Sequence, residues 1–395
     1  MNKLEYYLSH PVNINMARGI PSSELLDLSN DMLDVLTSKT NFINHDNIDI
    51  RNYGSLDGIK EAKHLFAEIL NTNEDNIFIG GNSSLNLMFD LISKSFTHGV
   101  CGNTPWSKLD KVKWLCIVPG YDRHFAITEY FGIEMINIPF VNGDPDMDLI
   151  EEYIKDESIK GIWSVPQYSN PTGDTYSKKC IERFAKLKPA AKDFRIYWDN
   201  AYAIHYLDKY EPIDDLLSLC DKNGNPDMVY MFASTSKITF AGGGIAALAA
   251  SKNNLEDISN HFKRQTIGHD KLNQLRHALF FKDKEALLKH MDKHAEILKK
   301  NFDYIESAFE KEIKDLATWN NPKGGYFICL KVDHKAKEVI ELCKKCGLTL
   351  TDVGSCFPYH KDPANSYIRI APTSLNEEKC KVAVEVITTV IKSLK

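Results

Sequence analysis

Met228-Val229-Tyr230-Met231-Phe232-Ala233-Ser234-Thr235-Ser236-Lys237 is the stretch that decides the fold. The apolar run Met228 to Phe232 has the length and composition of a buried strand. Hydroxyls and a lysine follow where that strand should end. Upstream, Asp199 closes a second apolar run, Ile196-Tyr197-Trp198, and Asn170-Pro171-Thr172-Gly173 follows a third, Ile162-Trp163-Ser164-Val165. Trp114 to Val118, Glu134 to Ile138, Gly161 to Val165, Arg195 to Trp198 and Ile245 to Ala250 complete the set of candidate strands. Helical segments alternate with them, which predicts an α/β fold: a mostly parallel sheet wrapped by helices. In such sheets ligands collect beyond the carboxyl ends of the strands. Lys237, Asp199 and Asn170 all fall there.

Working outward, residues 1–45 read as an extended arm with one short helix, Ser22 to Leu36. The turn-rich Asn52-Tyr53-Gly54-Ser55-Leu56-Asp57-Gly58 leads into an amphipathic helix with Ile59, Ala62, Leu65, Phe66, Ile69 and Leu70 on one face. Gly80-Gly81-Asn82-Ser83-Ser84 opens another helix. After Ser251 the pattern is mainly helical. Asp283 to about Lys314 is one long helix, expected to bridge into a small α+β unit. That unit has strands at Tyr326 to Val332 and Tyr367 to Ala371, a helix at Lys335 to Cys346 and a closing helix from Asn376. The expected organisation is therefore an arm and part of a small domain over 1–45, a large domain over 46–285, and a small C-terminal domain over 286–395.

Composition narrows the class. The chain has 395 residues, 43% of them hydrophobic, and a net charge of −6 without a long basic run, which argues against nucleic acid as a partner. No apolar stretch reaches the roughly 18 residues of a membrane span, and the N-terminus lacks the apolar core of a signal peptide. Nine scattered cysteines without framework spacing fit a reducing cytoplasm. Cys343-Lys344-Lys345-Cys346 reads as a helix face rather than a redox or metal site, and no metal is expected.

The strand-end residues have a shared chemistry. A lysine can form a Schiff base, a buried carboxylate can hold a pyridine nitrogen protonated, and an amide can bond a phenolic oxygen, the three needs of pyridoxal phosphate. Asn82, Ser83 and Ser84 at a helix N-terminus, with Ser234 and Ser236, would suit its phosphate. Tyr202 would point at the ring oxygen and Tyr121 could stack on the ring. Each has a plainer reading: a helix cap for the serines, a turn aspartate, core packing for the tyrosines, a surface lysine. Together, and in this order along the chain, they favour the cofactor.

At these residues the chain resembles the fold-type-I, pyridoxal-phosphate-dependent aminotransferases, and within them the bacterial aspartate aminotransferases of subgroup Ic. The shared blocks include Arg18-Gly19-Ile20-Pro21-Ser22, Gly80-Gly81-Asn82-Ser83-Ser84-Leu85, Pro119-Gly120-Tyr121-Asp122-Arg123-His124-Phe125 and Tyr168-Ser169-Asn170-Pro171-Thr172-Gly173. Trp198-Asp199-Asn200-Ala201-Tyr202, Ala233-Ser234-Thr235-Ser236-Lys237-Ile238-Thr239-Phe240-Ala241-Gly242 and Asn273-Gln274-Leu275-Arg276-His277 continue them. The resemblance implies a seven-stranded, mostly parallel sheet in the large domain. It implies that Lys237 holds the cofactor and shuttles a proton between Cα and C4′, exchanging an amino acid for a 2-oxo acid in a ping-pong sequence. It implies that Arg369, in Tyr367-Ile368-Arg369-Ile370-Ala371, grips the substrate α-carboxylate with Asn170 beside it. Tyr53 would reach the phosphate of a neighbouring subunit, so the active unit would be a homodimer. One departure stands out: many aminotransferases place a phosphate-binding arginine where this chain has Ile245, behind Gly242-Gly243-Gly244.

The expected reaction is transfer between aspartate and 2-oxoglutarate. A second carboxylate would need a second cation, for which Arg18, Arg123 and Arg264 are candidates. Another amino donor, aromatic or aliphatic, and a β-lyase are the alternatives. A regulator built on the same fold is disfavoured because the pattern begins near Arg18, ahead of which a DNA-binding module does not fit.

Overall fold

The computed structural model describes residues 2–394. The arm carries a two-residue strand, β1 (Ile14–Asn15). The main sheet collects β2 (Ile77–Ile79), β3 (Lys113–Val118), β4 (Glu134–Val141), β5 (Asp144–Pro145), β6 (Ile159–Ser164), β7 (Arg195–Asp199), β8 (Val229–Ser234) and β9 (Ala246–Ala249). Toward the C-terminus follow β10 (Ala317–Trp319), β11 (Ile328–Val332), β12 (Leu348–Thr349) and β13 (Tyr367–Ile370).

The main sheet runs β2-β9-β8-β7-β6-β3-β4-β5. The pairs from β4 through β3, β6 and β7 to β8 are parallel, as the alternation of strands and helices requires. Besides the two-residue β5, which lies antiparallel to β4 and makes the sheet eight-stranded rather than the expected seven, only β9 reverses, lying antiparallel to both β8 and β2. The physical reason is the missing crossover helix: residues 235–245 fold straight back from β8 to β9. Lys237 sits in that return, so the turn that reverses the strand also places the lysine at the carboxyl end of the sheet. The strands β2 and β5, with three and two residues, are too short to show a sequence period.

Alternate residues feed the two faces. Ile196 and Trp198 of β7, with Met231 and Ala233 of β8, join the core on one face. Tyr197, Tyr230 and Phe232 join the other, with Trp114 and Trp163. Trp114, Trp163 and Tyr197 meet at ring separations of 4.9 to 5.2 Å. Gly161 is small for a reason: a Cβ there would lie 2.4 Å from the Trp114 ring.

The helix expected over Ser22 to Leu36 is shorter, Ser23–Asp27, followed by a single tight turn over Asn30–Leu33. Ser29, Asn30 and Asp31 interrupt it, since short polar side chains compete for the backbone. The long helix spans Lys284–Glu312. Its first turns meet Tyr206, whose hydroxyl donates to Asp292 at 2.6 Å. Its far end is tied to the closing helix, Glu377–Ser393, by Lys392 and Glu312 at 2.6 Å. The antiparallel sheet β10-β11-β13 and the β1-β12 pair complete the C-terminal part. Cys343 and Cys346 are both buried in its core.

Candidate active site

A cavity of about 170 Å³ opens beyond the carboxyl ends of β7 and β8, lined by Ser83, Ser84, Tyr121, Asn170, Asp199, Tyr202, Ser234, Ser236 and Lys237. A larger hollow, about 800 Å³, lies between the 41–45 loop and the helices at 60–70 and 271–281, but none of these groups lines it.

Asp199 is the floor of the cavity. It is 4% exposed. Its Oδ2 accepts from His124 Nε2 at 2.9 Å, and Oδ1 has no partner among the described residues. A buried carboxylate oxygen left bare is costly and points to a missing donor. The His124 ring is fixed by stacking on Trp163, with centroids 4.5 Å apart and planes 10° from parallel. Trp163 Nε1 donates to Thr128 Oγ1, which in turn donates to the His124 carbonyl, both at 2.8 Å. The aromatic layer of the sheet thus ends as the support of the aspartate. Sequence reasoning missed His124. Its signal was the spacing Tyr121-Asp122-Arg123-His124, which puts Tyr121 and His124 one helical turn apart.

Tyr121 precedes the helix Asp122–Tyr130, and its ring meets His124 edge-on at 4.9 Å. Burial, with Asp199 and Asp122 nearby, pushes its hydroxyl pKa up to about 12. Tyr202 is 3% exposed, and burial holds its hydroxyl well above its ordinary value. Lys237 Nζ lies 4.9 Å from the centre of the Tyr202 ring and 5.9 Å from that of Tyr326. Burial lowers the Lys237 pKa below 10.5, while Asp199 opposes that shift.

Arg369, on β13, reaches the same space from the C-terminal sheet. Its Nη1 donates to Asp122 Oδ1 at 2.9 Å and to Asn170 Oδ1 at 3.3 Å, and its Nε to Thr351 Oγ1 at 3.2 Å. The guanidinium carbon sits 5.1 Å over the Phe327 ring. Asp122, Thr351 and Phe327 were not legible as partners, because they come from distant parts of the chain. The arm packs against the same ring: a Cβ on Gly19 would lie 2.4 Å from Phe327 Cζ. Arg18 beside it is exposed and forms no ion pair among the described residues.

At the other end, Ser83 caps the helix Ser84–His98 without using its side chain, leaving the hydroxyl free. Ser236 Oγ donates to the Asn82 carbonyl at 3.2 Å, so Asn82 contributes backbone, and its side chain is exposed. Gly244 passes so close that a Cβ would lie 2.9 Å from Ser236 N. Ile245 is 2% exposed and packed in the core, so its position supplies no cation. Arg276 stands behind the glycines: its Nη2 donates to Asn273 Oδ1 at 2.5 Å, and Asn273 Nδ2 donates to the Gly243 and Gly244 carbonyls at 3.0 and 3.1 Å. Tyr53 is 79% exposed and does not line the cavity of its own chain. Arg123 lines a separate pocket of about 210 Å³ with Asp122, Phe357, Tyr359 and His360, and Arg264 is exposed beyond the helix Lys252–Phe262.

Residues 3–394 match the aspartate amino-transferase family. The chain is 41% identical to the aspartate aminotransferase of Corynebacterium glutamicum, over 98% of this chain and 91% of that protein. A crystal structure of an aspartate transaminase from the same organism superposes with a TM-score of 0.96 at 41% identity, covering 98% of this chain and 93% of that one. The fold extends to a Pyrococcus horikoshii kynurenine aminotransferase, solved with PMP and kynurenine, at a TM-score of 0.79 and 18% identity over 99% and 94% of the two chains. By family match and by these relatives, the chain belongs to the aspartate amino-transferase family and is an aminotransferase.

Proposed function

We propose that this aminotransferase moves an amino group between aspartate and 2-oxoglutarate, giving oxaloacetate and glutamate, with Lys237 as its working base. The cofactor is pyridoxal phosphate, and the residues present fit it. The observation that carries the reading is the bare Oδ1 of buried Asp199, a residue that lines the same cavity as Lys237. That oxygen is matched to a pyridine N–H, and the unused Ser83 hydroxyl with Ser84, Ser234 and Ser236 is matched to a phosphate. When bound, the cofactor supplies an electron sink as a Cα bond of the amino acid breaks.

The chain's own groups do the rest. Asp199, kept from turning by His124 and Trp163, would hold the ring nitrogen protonated. Tyr121 would cover the ring face, and Tyr202 and Asn170 would hold its phenolic oxygen. Lys237 Nζ takes the proton from the substrate Cα and later returns one. Its lowered pKa makes the neutral amine available below the pH at which an ordinary lysine deprotonates. Arg369 binds the α-carboxylate. The bonds from Nη1 and Nε to Asp122, Asn170 and Thr351 hold its plane fixed. Arg18, in the arm beside Phe327, is the candidate for the distal carboxylate. Exposed Tyr53 is suited to reach the phosphate of a second copy in a homodimer.

Among the described residues no helix is long and apolar enough to cross a membrane. The cytoplasm is the compartment that fits nine unpaired cysteines.

Half-reaction rates with aspartate, alanine and phenylalanine test the substrate. Aspartate should be the fastest donor, and a preference for phenylalanine would reject the assignment. Arg369→Lys loses the planar fork and is expected to raise KM for the amino acid by about tenfold to a hundredfold, with cofactor content unchanged. Release of cofactor instead would give Arg369 a different role.

A further inference from the structure

The turn that bears Lys237 has no regular structure to hold it: residues 235–245 are neither helix nor strand. A few backbone bonds close it, such as Thr239 N–H to the Thr235 carbonyl at 2.8 Å, and buried histidines from two neighbouring helices brace it. His277, on the helix Lys271–Phe281, has Nδ1 at 2.8 Å from the Asn273 carbonyl. A carbonyl only accepts, so Nδ1 carries the hydrogen and Nε2 is the acceptor. That Nε2 lies 3.0 Å from the hydroxyls of both Thr235 and Thr239.

On the long helix Lys284–Glu312, His290 Nε2 lies 2.8 Å from the carbonyl oxygen of Ile238, the residue after the lysine. By the same argument His290 carries its hydrogen on Nε2. His294, one turn on, places its Nε2 3.1 Å from that nitrogen, and the ring centroids are 4.8 Å apart. The hydroxyl of Tyr326 donates to the Lys237 carbonyl itself at 3.3 Å. His277, His290 and His294 are 0, 7 and 1% exposed. Burial lowers all three pKa values, to about 4 for His277 and about 2 for His294, so all three rings are neutral at neutral pH.

We propose that His290 is a positioning residue for Lys237: its Nε2–H anchors the Ile238 carbonyl and so sets the direction in which the lysine leaves the backbone. The inference rests on Lys237 being the cofactor lysine. A proton transfer is sensitive to displacements of about 1 Å, which can cost about 10²-fold in rate. Arg369, proposed to hold the substrate carboxylate, stands on a different sheet from the strands that flank this turn. Loss of the anchor therefore acts on the proton-transfer rate and leaves amino-acid affinity alone.

The test compares the His290→Leu and His290→Gln holoenzymes, glutamine keeping an N–H near the reach of Nε2. Single-turnover half-reactions are followed by the visible absorbance of the cofactor, with aspartate carrying hydrogen or deuterium on Cα. His290→Leu is expected to slow the step by about 10- to 100-fold and to raise the isotope effect, with half-saturation within about twofold of the parent. His290→Gln is expected to recover most of the rate. The proposal is overturned if His290→Leu keeps the parental rate. It is also overturned if the loss appears in half-saturation, or if both variants slow equally and in step with a lowered melting temperature. Should His290→Leu fail to fold, ¹⁵N-histidine spectra of the parent decide: an Nδ1–H tautomer at His290 rejects the anchor. Failure of the lysine assignment is separable, because lysine-bound absorbance would then survive in Lys237→Ala.

Discussion

Replacing Lys237 by alanine is expected to abolish amino transfer, with a loss of about 10⁴-fold or more, and to remove the visible absorbance of lysine-bound cofactor. The size follows from two roles on one nitrogen. Nζ is the covalent attachment point, and it is also the base that visits the substrate Cα. No other amine lines the cavity: its remaining walls are hydroxyls, an amide, a carboxylate, phenols and the aliphatic Leu85, Val165 and Ala201. Absorbance and stopped-flow half-reactions read the two roles separately. Retained turnover in Lys237→Ala would reject the lysine as catalytic base. Added small amines that restore part of the rate without restoring attachment would confirm that the base was what was lost.

The second large effect is at Asp199. Asp199→Ala removes a buried charge and strands both His124 Nε2 and the ring nitrogen that Oδ1 is proposed to meet. Losing one preorganised electrostatic partner in a water-excluded site costs about 2.7–4 kcal/mol of transition-state stabilisation, so the expected fall in kcat/KM is about 10²- to 10³-fold. Asp199→Glu keeps the charge but adds a methylene in a space closed by the His124–Trp163 stack, so it should recover only part of the activity. Equal activity in Asp199→Ala and the parent would mean that the bare oxygen has no partner in the working enzyme.

The two variants differ in what they leave intact. Lys237 is part of a loop, and its loss removes only the approach of Nζ to the Tyr202 and Tyr326 rings, 4.9 and 5.9 Å from their centres. Asp199 ends a central strand whose other residues are buried. A melting measurement on both should show a shift confined to Asp199→Ala, which would separate lost chemistry from lost packing.

Much of this was legible along the chain. Apolar runs placed Asp199 and Ser234-Thr235-Ser236-Lys237 at strand ends and Asn170 just beyond one, because a strand buried on both faces is mostly apolar and changes character where it stops. The helix at Ser84 was announced by its glycines and serines. Short strands such as β2 and β5 were not visible, since two or three residues carry no period. Nor were the supports: His124 under Asp199, Asp122 and Thr351 on Arg369, and His290 on Ile238.

Those supports share a cause. Asp122 and Arg369 are 247 positions apart, and His290 and Ile238 are 52 apart, so no local spacing links them. Residue types and periodicity settle what a segment becomes and which side chains can do chemistry, because propensity and burial are local demands. The amino-acid sequence by itself therefore determined the α/β class and singled out Lys237, Asp199, Asn170 and Tyr202 as the proposed reacting set, to which the family resemblance added Arg369. Which of their atoms are held and which are left bare was decided only by the tertiary structure. Sheet order and helix packing bring distant donors and acceptors within 3 Å, and they leave one oxygen of Asp199, a residue lining the cavity, without a partner.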